Sequence, residues 1–200
     1  KGTQAKILSY KLDLPHLSTG EILRKMSQED DETSLELHKI LKSGLLVSDK
    51  VITKVVEKRI LMNDCKKGYI LDGFPRTLNQ AISYDLIIKR LNIKLNKVIL
   101  IDVSENILLK RITGREICRD CTSMYNKFFY PFPSNGCKNC GSTKQPITRE
   151  DDDESAFRNV RLKKYYEETQ PLIDYYNKEN ALIKFDGSKT IDEIALNIYN

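Results

Sequence analysis

Apolar positions along the chain switch between a helical and an extended period, and those switches lay out the elements. A helical run opens at residues 4–8, with Ala5, Ile7 and Leu8 in it, and is expected to end near Leu12. Residues 14–18 read as a short extended piece. Ser18-Thr19-Gly20-Glu21 then reads as a helix start, with Ser18 or Thr19 as the cap and an acid in the first turn. Ile22 and Leu23 supply its apolar face. Residues 28–33 are acidic and polar and predict a loop; residues 35–41 predict a helix that Ser43-Gly44 stops. Ser48 is placed to cap the next helix, where Val51, Ile52, Val55, Val56 and Ile60 form one apolar face. Residues 63–68 break it.

Tyr69, Ile70 and Leu71 are a short apolar run of the kind a buried parallel strand needs. A helix over 77–91 follows, with Thr77 as its cap. Residues 98–103 predict a second strand, and a helix runs on to 113, where Gly114 ends it. Residues 115–150 lose helical periodicity. They hold three prolines and an aromatic cluster at Tyr125, Phe128, Phe129, Tyr130 and Phe132, and predict a small β-rich insertion. The acidic run 150–154 favours the positive end of a helix reaching to about 177, which Pro171 must kink or divide. Residues 182–186 are a last strand, and a closing helix starts at Thr190. Strand and helix alternate throughout, which predicts an α/β fold with a mostly parallel sheet and helices on both faces.

Composition narrows this picture little. Two hundred residues fit one domain with a small insertion. No apolar run approaches the length of a membrane span, and the start shows no signal-peptide core, so a cytoplasmic location without a membrane partner is expected. The net charge of +5 suits an anionic substrate, although widely spread lysines on a solvated surface account for most of it.

The chemistry gathers in four places. Gly68 to Gln80 reads GYILDGFPRTLNQ. Asp72 puts a carboxylate at the end of a strand, Gly73 allows close approach, Pro75 stiffens the turn, and Arg76 offers a planar fork suited to phosphate. Ligands of open α/β sheets bind beyond the carboxyl ends of strands, so this is the floor of a candidate anion site. A structural turn in which Asp72 and Arg76 simply pair reads equally well. Lys1-Gly2-Thr3 carries the last part of a phosphate-binding loop pattern, with Gly2 where Ser or Thr is usual. Arg24, Arg76, Arg111, Arg115, Arg149, Arg158 and Arg161 fall mostly at element ends, where guanidinium groups can converge on phosphate oxygens. Finally, Cys118-x2-Cys121 and Cys137-x2-Cys140 give four soft ligands for a tetrahedral zinc ion, with a spacing usual for such sites. Cys65 stands alone and is expected to be inert and half-buried.

These stretches, in this order, resemble the adenylate kinases. The resemblance rests on Lys1-Gly2-Thr3-Gln4-Ala5, on 17–24 (LSTGEILR), on 44–49 (GLLVSD), on LDGFPRT with Gln80, and on Gly114-Arg115 before the insertion. PLIDYY from Pro171 and Asp186-Gly187-Ser188-Lys189 complete it. It spans essentially the whole chain. It implies a three-layer P-loop-type parallel sheet, with a core of residues 1–114 and 151–200, an AMP-binding helical segment at about 18–47, and a zinc-binding lid at 115–150. It implies reversible phosphoryl transfer from Mg-ATP to AMP, giving two ADP, by a monomer that binds no nucleic acid.

Residue roles follow from the resemblance alone. Thr19, Gly20, Arg24, Leu45, Leu46, Val47, Gly73, Arg76 and Gln80 match the AMP side. Lys1, Gly2, Thr3, Arg111, Arg115 and Lys189 match the ATP side, and Arg149 the lid arginine that closes on the phosphates. Asp72 matches the carboxylate that orders the magnesium hydration shell. One further arginine follows the lid: counting forward from Arg149 gives Arg158, counting back from Pro171 gives Arg161, and Arg161 is preferred. Four thiolates leave zinc no open position, so its implied role is structural. The family's first strand and glycine-rich loop precede the position of Lys1, so the chain as written is expected to bind ATP poorly. Two alternatives remain at this level. One is a catalytically impaired fragment of such a kinase. The other is a zinc-ribbon nucleic-acid-binding module, which explains the insertion but leaves LDGFPRT unused.

Overall fold

The structure, a computed structural model, describes residues 1–27, 39–40, 47–149 and 152–200. The loop expected at 28–33, most of the helix expected at 35–41, and the Leu45 and Leu46 positions lie outside these residues. Helix α1 spans Gly2–Leu12 and stops where Asp13 turns left-handed. Strand β1 is His16–Ser18 and α2 is Thr19–Met26; the Ser18 hydroxyl caps α2 by accepting from the Glu21 N–H.

Helix α3, Asp49–Ile60, follows Ser48, but the Ser48 side chain makes no capping hydrogen bond. Asp49 in the first turn supplies negative charge there. Strand β2 is Ile70–Asp72, one residue later than the apolar run. The reason is pairing: β1 lies parallel to β2 with His16 opposite Ile70, Leu17 opposite Leu71 and Ser18 opposite Asp72.

Helix α4 is Leu78–Arg90, capped by Thr77, which accepts from Gln80 N at 3.1 Å. Strand β3 (Val98–Asp102) and helix α5 (Glu105–Thr113) lead into the insertion, where β4 (Arg115–Ile117) and β5 (Met124–Asn126) form an antiparallel pair. Past the insertion the expected helix is divided at Pro171, one of the two outcomes the proline allowed, and the part before it is wider than an α-helix. Residues Ala156–Leu162 and Tyr165–Thr169 are π-helical, and Pro171 opens a separate helix α6, Pro171–Lys178. Proline is tolerated there because a first-turn N–H has no intrahelical partner anyway. Strand β6 (Leu182–Asp186) pairs in parallel with β3, and α7 (Ile191–Tyr199) starts with a reciprocal Thr190–Glu193 capping box.

Among the described residues the parallel ladders are two pairs, β1–β2 and β3–β6. Helices flank them. Helix α1 packs on β1 and β2, and α7 on α1 and β6. A second group, α2, α3 and α4, buries Leu23, Ile52, Val56 and Tyr84 with Leu17 of β1, while α4 and α6 enclose Ala81, Leu172 and Tyr176 against β3 and β6. Cys65, expected half-buried, is buried in the cluster of Leu23, Ile52 and Val56, where Arg59 donates to its sulfur. Each fully buried aliphatic side chain of this kind contributes about 1.5–3 kcal/mol. Packing therefore holds the carboxyl ends of β1 and β2 side by side, with Ser18 and Asp72 as neighbours. No helix among the described residues is long and apolar enough to cross a membrane.

Candidate functional site

Asp72 ends β2 and is only 8% exposed. Its carboxylate lies 3.3 Å from Lys1 Nζ on one side and 3.2 Å from His16 Nε2 on the other. Thr19, also buried, donates its hydroxyl to the Asp72 carbonyl at 3.2 Å. Gly2 lets α1 begin hard against this group: a Cβ there would sit 3.3 Å from Asp72 Oδ2. Thr3 is half-buried in the same first turn. Burial opposes ionisation of Asp72, but the His16 contact and the Lys1 ammonium outweigh it and hold the carboxyl well below its usual range.

Stability from a depressed carboxyl pKa is complete above the unfolded value, near 4, and is lost as pH falls towards the folded value. The melting-temperature gap between the native protein and Asp72→Asn should therefore be widest above about pH 5 and narrow below about pH 4. Paired melting curves from pH 3 to 7 measure it. A gap that stays level or grows on acidification would show that Asp72 is not held ionised.

The turn after β2 is built for close approach. Gly73 has φ 91, and a Cβ on it would lie 2.7 Å from Thr19 Oγ1, so only glycine fits. Arg76 is pinned three ways. Its Nε donates to the Gly73 carbonyl at 2.9 Å, its N–H to Gln80 Oε1 at 2.7 Å, and its carbonyl accepts from Thr169 Oγ1 at 2.7 Å. Gln80 is buried, and its Nε2 donates to Asp49 Oδ1 at 2.7 Å, while Thr77 Oγ1 donates to Asp49 Oδ2 at 3.0 Å. Across from this turn, the Arg24 guanidinium folds back over Gly20, where a Cβ would meet Nη2 at 3.1 Å. Val47 is buried in the main core. Beside Asp49 and Thr77 opens a cleft of about 660 Å³, walled on its far side by Lys164, Glu167, Glu168 and Pro171.

The other cations draw in around Lys1. The Lys1 side chain stays 62% exposed, as expected for the mouth of a cleft. Asp72 favours the charged form of Lys1, while the charges of Arg76 and Arg161 act against it. Arg111 lies in the last turn of α5. Arg111 also lies 5.8 Å from the Phe129 ring centroid, and Asn126 Nδ2 donates to its carbonyl.

Asp152, buried, bridges Arg115 Nε and Arg161 Nη1, each at 3.3 Å. Arg149 sits where the chain leaves the insertion, its carbonyl accepting from Asp152 N. Arg158 instead pairs outward with Glu154 at 2.8 Å, half exposed. Lys189 is exposed in the loop between β6 and α7, where its charge adds to the Ser188 hydrogen bonds that lower the Asp186 pKa. Sequence reasoning did not assign His16, Asp49 or Asp152 a role. Their partners come from other elements, and no spacing within one stretch signals them.

In the insertion, the sulfurs of Cys118, Cys121, Cys137 and Cys140 lie within 4.8 Å of one another, and none forms a disulfide. Cys118–Cys140 and Cys121–Cys137 sulfurs are 3.7 and 3.5 Å apart. A tetrahedral ion with sulfur ligands at about 2.3 Å sets such edges at roughly 3.8 Å, so the donor set fits one metal ion. Tyr125 and Phe132 pack against the cluster, and the Tyr125 hydroxyl contacts Cys137 Sγ at 3.2 Å.

Comparison with known proteins adds an independent line. A family model described as adenylate kinase matches residues 1–181. The chain is similar to an adenylate kinase of Methanocella arvoryzae, 42% identical over 199 residues that make up 99% of this chain and 91% of that protein. It is 41% identical to one from Thermosipho melanesiensis, covering 100% of this chain and 92% of that protein. It is 39% identical to one from Fervidobacterium nodosum, covering 100% and 91%.

Proposed function

The chain belongs to the adenylate kinase family, and from that premise we propose that Lys1, Arg76, Arg111, Arg115, Arg149 and Arg161 bind and neutralise the phosphates of two nucleotides. The protein is a phosphotransferase: the terminal phosphoryl group of Mg-ATP passes reversibly to AMP, giving two ADP. The observation that carries the residue assignment is the gathering of cations about two buried carboxylates, Lys1 at 3.3 Å from Asp72 and Arg115 and Arg161 each at 3.3 Å from Asp152. More cations than carboxylates meet there, which suits two polyphosphate anions brought end to end.

In this reading Thr19, Gly20, Arg24, Val47, Gly73, Arg76 and Gln80 form the AMP side, with Leu45 and Leu46 beyond the described residues. Lys1, Gly2, Thr3, Arg111, Arg115 and Lys189 form the ATP side. An AMP phosphate oxygen attacks the γ-phosphorus in line as the bond to the bridging oxygen breaks, and ADP leaves without a covalent enzyme intermediate. The protein contributes position and cancellation of charge. Magnesium arriving with ATP neutralises further charge, and ionised Asp72 is the carboxylate for its hydration shell. Residues 115–150 act as a lid on the core of 1–114 and 151–200. Its closure keeps water from the γ-phosphate, the lid of adenylate kinases being a standing example of such closure. Cys118, Cys121, Cys137 and Cys140 hold a structural zinc that fixes the lid's shape.

The test separates the two candidate arginines past the lid. With Mg-ATP and AMP as substrates and ADP formation as the readout, Arg161→Ala should lower kcat/KM by about a hundredfold. Arg158→Ala removes an exposed ion pair and should stay within about threefold. The reverse pattern would move the role to Arg158. No ADP from folded protein that is shown beside it to bind both ATP and AMP would overturn the assignment as a whole.

A further inference from the structure

We propose that Asp49 is a positioning residue for the AMP side of the site, acting through the side chain of Gln80. The proposal rests on the reading that Gln80 and Arg76 serve AMP. Asp49 lies in the first turn of α3, two residues past buried Val47, and reaches across to the turn after β2. One of its oxygens accepts from Thr77 Oγ1 at 3.0 Å and the other from Gln80 Nε2 at 2.7 Å.

A carboxylate can only accept, so the Gln80 end that faces it must be the NH₂. The opposite end must then be the carbonyl, and that is what the Arg76 N–H requires at 2.7 Å. The two contacts agree, and the carboxamide has one orientation. Its flipped form would set NH₂ against N–H at one end and oxygen against carboxylate at the other. Gln80 thus keeps one N–H and one lone pair in fixed directions, which a nucleobase meets as a fixed donor and acceptor. The same chain of bonds holds the Arg76 backbone. Asp49 bonds to Thr77 and Gln80, and it acts on the substrate through Gln80.

A double-mutant cycle tests this, with KM for AMP, KM for ATP and kcat measured at each corner beside a melting curve. Asp49→Ala should raise KM for AMP roughly tenfold, the worth of one charge-assisted hydrogen bond, and leave KM for ATP within about twofold. Gln80→Ala should raise it at least as much. The double variant should be no worse than Gln80→Ala alone, because the first effect travels through the second residue. Asp49→Asn, whose carbonyl can still accept from Gln80 Nε2, should restore KM for AMP to within about threefold. A role confined to charge at the start of α3 would be lost equally in Asp49→Asn and would add to the Gln80 effect; either result overturns the proposal. If Asp49→Ala does not fold, Asp49→Ser runs the same cycle. If Gln80→Ala leaves KM for AMP unchanged, the assignment of Gln80 to the AMP side fails and the proposal falls with it. If Gln80→Ala raises it and Asp49→Ala does not, the proposal alone fails.

Discussion

Arg76→Ala should lower kcat/KM for transfer to AMP by about a hundredfold or more, a loss of at least roughly 2.7 kcal/mol of transition-state stabilisation. The expectation follows from how much structure is spent on one residue. Its N–H, its carbonyl and its Nε are each tied down, by Gln80, Thr169 and Gly73. The guanidinium is thereby held at the carboxyl end of β2, and the fixed backbone narrows the directions in which it can point. Its charge is felt at Lys1, so in the proposed site both cations would serve the same phosphates. An acceptor phosphate must be approached by another anion, and a preorganised cation lowers that barrier without reorganising during the reaction. Arg76→Lys keeps the charge but loses the fork, and should fall between the two. Steady-state kinetics beside a melting curve measure both. Near-native kinetics in a folded Arg76→Ala protein would remove Arg76 from the site.

Cys137→Ser should release the metal and lower the melting temperature, while activity at temperatures where the variant is folded falls far less than in Arg76→Ala. Cys137 is 3% exposed and sits at the centre of the insertion, touched by Cys121 and by the Tyr125 hydroxyl, which also accepts from Lys138 N at 2.8 Å. The buried cluster around it contains only Cys118, Tyr125 and Cys137, with Cys121 and Phe132 packed alongside. So small a cluster cannot hold a subdomain by apolar burial alone, and a metal ion in the four-cysteine site would take its place. Structural zinc in small peptides contributes about 10–16 kcal/mol, so losing one ligand of four is a large change. Four thiolates leave no position at which water could be activated, hence the separation of stability from turnover. Metal analysis of the purified protein and melting curves with and without chelator check the expectation. Protein that carries no metal, or turnover that stops on chelation with the fold intact, would refute it.

Much of the fold was legible because its signals are local. Ser18 before Glu21 and Thr77 before Gln80 announce helix starts through contacts three residues apart, and both caps form. Ser48 carries the same residue type in the same place and makes no cap, and nothing local in the sequence distinguishes it from the two that do. The strand at β2 was displaced by one residue because its limits are set by β1, a partner more than fifty residues away. The same distance hides His16, whose place beside Asp72 depends on the register of that pair. Arg161 and Arg158 could not be separated by counting, since the forward and backward counts land three residues apart. The wide turns at Ala156–Leu162 lie between the two reference points, and a π-turn absorbs one extra residue without breaking the helix. The four cysteines were plain from spacing because each pair makes its own tight knuckle.

The insertion is joined to the core by two lengths of chain, and these are cross-tied at two levels. Ile117 and Ile147 exchange backbone hydrogen bonds at 2.8 and 2.9 Å, and below them Arg115 is held to Asp152. Two uprights with two rungs resist racking and twisting but still bend together about an axis that crosses both. A swing of residues 115–149 that sheared one upright past the other would break both rungs, so a door-like movement is the one these two ties leave open. Cutting the lower rung, as Asp152→Ala would, leaves the door attached but free to sag.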